Sequence, residues 1–161
     1  MKRIVFWALA LAMSLYYASG GADNNTAGGS PPRPATKTSP KQADSMKIRL
    51  KVGDTVLTAT LIDSATTRDF ISLLPLTLTL KDYAETEKIS DLPKRLSTEN
   101  TPSGSDPSVG DIAYYAPWGN LAIFYRDFGY SSGLVILGKI DAGIEAFGLS
   151  GSVRVTIDLI K

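Results

Sequence analysis

Any side chain that moves a proton in this chain must come from a short list, because the sequence contains neither histidine nor cysteine. The group best suited to proton transfer near neutral pH is therefore missing. Thiolate nucleophiles, disulfides and thiolate metal ligands are missing with it. Zinc would have to rely on carboxylates alone, an uncommon donor set, so we expect neither a metal nor a cofactor. The densest run of ionisable groups is "DYAETEKISDLP", residues 82–93, where Asp82, Glu85, Glu87 and Asp91 stand beside Lys88 and the preceding Lys81. Paired carboxylates serve glycoside hydrolysis or hold Ca²⁺. The spacing here matches no calcium loop, and a solvated strand rim competes with both chemistries. Glu87 and Lys88 are the polar candidates from this run.

Binding chemistry is better represented. "YYAPWGNLAIFY", residues 114–125, brings Tyr115, Trp118 and Phe124 together around a Pro117–Asn120 kink. Pro117 fixes one dihedral, and Gly119 lets the backbone approach a neighbour or a ligand closely. Trp118 and Asn120 then form either the platform of a groove edge or a tight turn with the indole folded onto the core. Trp118 offers contact area and one hydrogen-bond donor. Tyr114, Tyr115, Ile123 and Phe124 read as core or pocket wall. In "RDFGYSSG", residues 126–133, Arg126 and Asp127 can pair, while Tyr130, Ser131 and Ser132 can line a groove opposite Trp118. Ser131 has no histidine to activate it, which argues against serine hydrolysis. "GLSGS" is a turn, not a phosphate-cradling loop.

The elements that must position these residues follow from hydropathy. Lys2 and Arg3, the apolar run Ile4–Tyr17 and the small residues Ala18 to Ala22 have the form of a secretory signal over residues 1–20. The run is shorter than the ~20 residues a membrane-crossing helix needs. Residues 21–45 carry no large apolar side chain and read as a disordered linker. Residues 46–161 form one domain in which acidic side chains slightly outnumber basic ones, a balance that favours neither nucleic acid nor an anionic membrane. "KIRLKVGDTVLTATLI" alternates with period two around Gly53-Asp54 and predicts a hairpin. "SATTRDFISLLP" predicts a short helix capped by Ser64 or Thr66, with Asp69 in a capping-box position and Phe70, Leu73 and Leu74 on one face. "LTLTLKDY" alternates again, and residues 82–110 read as a long polar loop. "LAIFY" and "GLVILGKI" are apolar on both faces, "AGIEAFGL" makes one or two helical turns, and "SVRVTIDLI" alternates to the end. Many short strands, two brief helices and no βαβ rhythm predict a mainly β closed barrel.

"GDIAYYAPWGNLAIFY" followed by "GLVILGKIDAGIEAF" resembles the cyclophilin-like fold, more closely its small bacterial branch of minimal cyclophilin-like proteins. Gly138, Lys139 and Ile140 fall in register with a strand that reads roughly His-Val-Val-Phe-Gly-Lys-Val in cyclophilins. The resemblance spans residues 46–161, with residues 82–108 departing from the pattern. It implies an eight-stranded closed barrel with two short helices and a shallow groove on the outer face. In true cyclophilins that groove isomerises prolyl bonds, using an arginine donor and an apolar pocket that includes a histidine. Here the histidine's place falls on Leu134 and the pocket aromatic near Phe124. The arginine's place, counted back from Pro93, falls on Ser90. The expectation is therefore an exported, periplasmic or secreted barrel that binds an extended peptide or a small ligand without catalysis. A prolyl isomerase with altered groove chemistry and an accessory subunit that docks a partner protein are the alternatives. The expected groove residues are Glu87, Lys88, Tyr115, Trp118, Asn120, Phe124, Arg126, Tyr130 and Leu134.

Overall fold

A computed structural model of the protein describes residues 46–161. The signal and the linker read from residues 1–45 lie outside the described residues. Strands β1 (Lys47–Val52) and β2 (Thr55–Leu61) precede helix α1 (Ala65–Ile71), after which come β3 (Leu76–Tyr83), β4 (Glu87–Asp91) and β5 (Gly104–Ser105). The chain continues through β6 (Asp111–Tyr115), β7 (Asn120–Phe124), β8 (Ser131–Ser132) and β9 (Leu134–Ile140), then a 3₁₀ turn (Ile144–Phe147) and β10 (Val153–Leu159). Eight of these strands close into an antiparallel barrel in the order β1-β10-β3-β4-β7-β6-β9-β2, and β5 pairs with β8 in a separate ribbon. Closure leaves the barrel no unpaired edge. Of the two expected helices one is α-helical and the other is the 3₁₀ turn.

The alternation in the sequence sets the inside of the barrel. Ile48 and Leu50 of β1, Leu57 and Ala59 of β2, and Val155 and Ile157 of β10 all point into one buried cluster. Gly53 sits at a φ of 57° and Val52 faces Thr55, so the first hairpin turns in two residues. Ser64 caps α1, its hydroxyl accepting from the Thr67 amide at 3.1 Å. Asp69 takes no part in a capping box. Its carboxylate accepts from the Ser97 amide at 2.8 Å, and the Thr66 hydroxyl donates to the Ser97 carbonyl at 2.7 Å. The helix is thereby fastened to the loop after β4, with Phe70 fully buried in the barrel cluster.

One barrel strand lies where the sequence predicts only loop. β4, "EKISD", pairs with β3 on one side and β7 on the other. Its pattern is hidden because a lysine occupies an inward position. Lys88 stands opposite Ile123, which is core, and is itself 0% exposed. Its ammonium donates to Asp82 Oδ2 at 2.6 Å, to the Leu149 carbonyl at 2.6 Å and to the Gly151 carbonyl at 2.8 Å. All three N–H groups are thus satisfied, the condition under which a buried charge is tolerated. Tyr125 adds its ring 5.6 Å from the nitrogen and donates its hydroxyl to Asp82 at 2.9 Å. The Lys88 bond holds the Asp82 carboxyl below the usual carboxylate range. Lys88 therefore clamps the β3–β4 hairpin to the loop before β10.

Replacing Lys88 by Met removes the donors and leaves two inward carbonyls unpaired. We expect a loss of about 2–4 kcal/mol in the free energy of unfolding, read as a lower urea midpoint at unchanged m-value. A change within about 0.5 kcal/mol would contradict the clamp.

Candidate functional site

The same alternation that fills the barrel turns a second set of residues outward along β4, β7, β6 and β9. Register places Glu87 opposite Phe124, Ile89 opposite Ala122, Ala122 opposite Ala113, and Tyr115 opposite both Asn120 and Leu134. Ala113, Ala122, Phe124 and Leu134 are buried although they face away from the barrel interior, and Ile89, Tyr115 and Ile136 pack against them. β9 keeps this register through a bulge: Ile112 faces Gly138 while Ala113 faces Ile136, leaving Leu137 as the extra residue in the core. Bulges of this kind re-aim side chains next to functional sites. Gly138 is required there, since a β-carbon would meet the Thr60 carbonyl and lie 2.8 Å from Leu61 Cα.

Above this outer layer lies a groove of about 170 Å³. Ile89, Ala122 and Leu134 contribute to its lining from the strands, and the larger rings stand around them. Trp118 meets Tyr83 edge-on at 5.5 Å and 86°, and Tyr115 edge-on at 5.4 Å and 79°. Phe124 and Phe128 stack at 6.5 Å. Trp118 remains 54% exposed, so the indole is both folded onto neighbouring rings and open to a ligand. The two alternatives read from the sequence for this residue are combined in one arrangement.

The turn that presents Trp118 is braced from below. Gly119 has a φ of 76° and donates its amide to the Tyr115 carbonyl at 2.8 Å. Arg95 donates to the Ala116 carbonyl at 2.7 Å and to the Pro117 carbonyl at 3.4 Å. Gly133 lies so close to the turn that a β-carbon there would come within 2.8 Å of Pro117 Cδ. Tyr114, adjacent to the wall residue Tyr115, points into the core, where its hydroxyl accepts from the Leu96 amide at 3.2 Å.

Two polar groups in the groove stand out because nothing answers them. Asn120 is 2% exposed, and its Oδ1 has no hydrogen-bond partner. A buried carbonyl left in that state costs about 1–3 kcal/mol. Glu87 is half-buried, and among the described residues no hydrogen bond or ion pair reaches its carboxyl. Burial pushes its pKa up to about 7. Ser131, from the ribbon, is the remaining non-aromatic polar residue in the lining.

Six of the expected site residues therefore converge: Glu87, Tyr115, Trp118, Asn120, Phe124 and Leu134. Three do not. Lys88 is next to Glu87 in sequence but faces the opposite side of β4, because successive strand residues alternate. Arg126 lines a different hollow of about 360 Å³, formed with Asp82, Glu85, Tyr125 and the Gly148–Gly151 loop. Tyr130 is exposed, and its hydroxyl pairs with Ser103 at 3.1 Å. Ser90, the place to which a family arginine would map, also lies on the inward-facing side of β4, opposite Leu121. Tyr83 and Phe128 were not anticipated. Tyr83 could have been found as the one aromatic on the otherwise polar face of β3, whereas Phe128 sits in an irregular segment with no periodic signal. Among the described residues, no lysine or arginine lines the groove and no three acidic side chains converge in a way that could hold a metal.

A closed eight-stranded barrel with an outer groove over four of its strands is a cyclophilin-like architecture. Residues 50–158 match the cyclophilin-like family, and the chain belongs to it. The solution structure of a hypothetical protein from Archaeoglobus fulgidus superposes with a TM-score of 0.55 at 16% identity, covering 76% of this chain and 100% of the other. That likeness concerns the fold alone. No curated protein matches the chain.

The raised Glu87 pKa makes a stability prediction. The folded state holds this proton more tightly than the unfolded state, so the group costs nothing below the unfolded value of 4.5 and destabilises increasingly as pH rises through about 7. Glu87→Gln removes the ionisation. Discounted for partial exposure, the variant should be more stable than the parent by roughly 1–2 kcal/mol at pH 8 and nearly equal to it at pH 4. Urea unfolding at both values measures the difference, and a variant less stable at pH 8 would refute the assignment.

Proposed function

We propose that this cyclophilin-like domain is an exported binding module that holds an extended peptide or a small ligand in its outer groove without catalysing prolyl isomerisation. The observation that carries the reading is the lining itself: an aromatic hollow with an unpartnered buried amide oxygen and an unpaired carboxyl, and no cationic donor. The amide-resonance barrier of prolyl rotation is roughly 18–20 kcal/mol. An enzyme lowers it with a donor aimed at the twisted state, and such donors commonly contribute a few kcal/mol. Arg95 is engaged with the carbonyls of the Pro117 turn and Arg126 borders the other hollow, so neither guanidinium is directed into the groove. Leu134 has nothing to donate. A site of this kind binds ground state and transition state alike, which does not accelerate a reaction. Export rests on the composition of residues 1–20, with residues 21–45 as the tether.

A protease-coupled proline-isomer assay is expected to give rates indistinguishable from the uncatalysed reaction, and acceleration by orders of magnitude would overturn the reading. Chemical-shift mapping with short extended peptides should move signals of Trp118, Phe124 and Asn120 together. Trp118→Ala should weaken whatever binds by about tenfold, as removal of a central aromatic anchor does, while costing only about 1–2 kcal/mol of stability from its edge-on contacts with Tyr83 and Tyr115. Shifts confined to Tyr130 and other surface positions would instead favour a partner-docking role.

A further inference from the structure

The two polar groups in the groove that no protein side chain answers, the Glu87 carboxyl and the Asn120 amide, lie at opposite ends of it. Glu87 faces Phe124 and Asn120 faces Asp91 across the same β4–β7 pairing. Phe124 and Asn120 are four residues apart on β7, about 13 Å along the strand at ~3.3 Å per residue. Between them lie Ile89, Ala122 and the rings of Trp118 and Tyr115. Ser131 and the phenols of Tyr83 and Tyr115 can donate or accept, and the Trp118 indole and the Asn120 amide nitrogen donate, so the charge preference is set by the Glu87 carboxyl. The lining thus asks for a ligand that brings a cationic donor to the Glu87 end and apolar substance in the middle.

We propose that the groove selects an elongated cationic ligand, with an ammonium group at the Glu87 end and an apolar stem that runs against the aromatic rings toward Asn120. The inference rests on the groove being a binding site and names the chemistry of its occupant. An α,ω-alkyldiamine satisfies it, and so does a lysine side chain on an extended peptide. Charge complementarity favours the ammonium, because the groove presents a carboxyl and no cation, and aromatic rings attract a cation over their faces. A neutral, carbonyl-rich ligand such as a prolyl peptide brings no cation to Glu87.

Protonation follows from the same arrangement. The ionisable groups that border the groove besides Glu87 are the phenols of Tyr83 on β3 and Tyr115 on β6, while β7, β9 and the ribbon add none. On β4 itself Lys88 points the other way into its clamp with Asp82, and Arg126 and Glu85 border the other hollow. An ammonium that settles beside Glu87 favours the ionised carboxylate and displaces its proton to solvent. Because burial pushes the Glu87 pKa up to about 7, the cation should bind about tenfold more weakly at pH 6 than at pH 8.

The test titrates the full chain with α,ω-diamines from diaminobutane to diaminooctane, with the matching neutral diols, and with N-acetyl-lysine methylamide, following the Asn120 side-chain amide and Trp118 indole signals. The expected result is saturable binding of the diamines with an optimum chain length, at least tenfold preference over the diol of equal length, and weakening at pH 6. Glu87→Gln should abolish the preference and the pH dependence while Trp118 continues to respond to neutral ligands. Tighter binding of the lysine derivative than of any diamine would identify a peptide as the source, and the reverse a free amine. Equal binding of diamine and diol, or a preference untouched in Glu87→Gln, would overturn the cation while leaving the groove as a binding site. Absence of any shift with every probe would overturn the inference, and the peptide mapping described above then judges the groove separately.

Discussion

Strands β4, β7, β6 and β9 separate two dry compartments, and most of what the molecule does follows from that double burial. One face of each closes the barrel core, and the other supports the outer layer of Ala113, Ala122, Phe124 and Leu134. A fully buried Leu or Phe contributes about 1.5–3 kcal/mol, against a net stability of only about 5–15 kcal/mol for a typical domain. The outer layer is therefore part of what keeps the domain folded. The groove above it cannot change shape freely, because its lining is also a structural layer.

Glu87 and Lys88 show how differently the fold treats two neighbouring ionisable groups. Lys88 is withdrawn from solvent completely, and each of its protons has an oxygen to go to. Glu87 is withdrawn only in part and has no partner, so burial alone raises its pKa. The first is a solved problem in packing. The second, together with the Asn120 oxygen, is an uncorrected cost. Uncompensated polar groups that survive in an otherwise consistent structure concentrate where a ligand completes them. This contrast separates function from architecture more firmly than residue type does, since both side chains are ionisable and adjacent in sequence.

Much of the fold was legible because hydropathy had a clean period. β1, β2, β3 and β10 alternate, and β7 and β9 are apolar on both faces, which announces cover on both sides. β4 shows no apolar period because its inward positions hold Lys88 and Ser90, and no pattern of apolar residues can report a buried ammonium. The same blind spot bears on Lys88: the ionisable run 82–93 offers it and Glu87 together as polar groove candidates, whereas strand parity puts the two on opposite faces. Arg126 and Tyr130 belong to the segment 126–133 expected opposite Trp118, but both lie in irregular backbone where no period fixes direction. Trp118 and Asn120 were legible from the Pro117–Gly119 turn. The absence of a partner for Asn120 was not, because hydrogen-bond satisfaction is a property of the assembled neighbourhood.

A shared fold carries no obligation to share chemistry, and the polarity of the groove illustrates why. Catalysis of amide rotation needs a donor directed at a nitrogen that becomes pyramidal only in the transition state, held in place before the substrate arrives. This groove keeps the apolar surface on which a side chain can rest, with Leu134 where the resemblance would put an imidazole, and it presents the Glu87 carboxyl and no cationic donor. Reversing the sign of the polar groups changes which ligands fit without disturbing a single barrel strand, because groove-facing and core-facing residues alternate along the same backbone. The barrel can thus retain its geometry while the outer positions exchange one ligand class for another. On the proposed reading the strands fix where a ligand sits, and the charge of the Glu87 side chain decides which ligand that is.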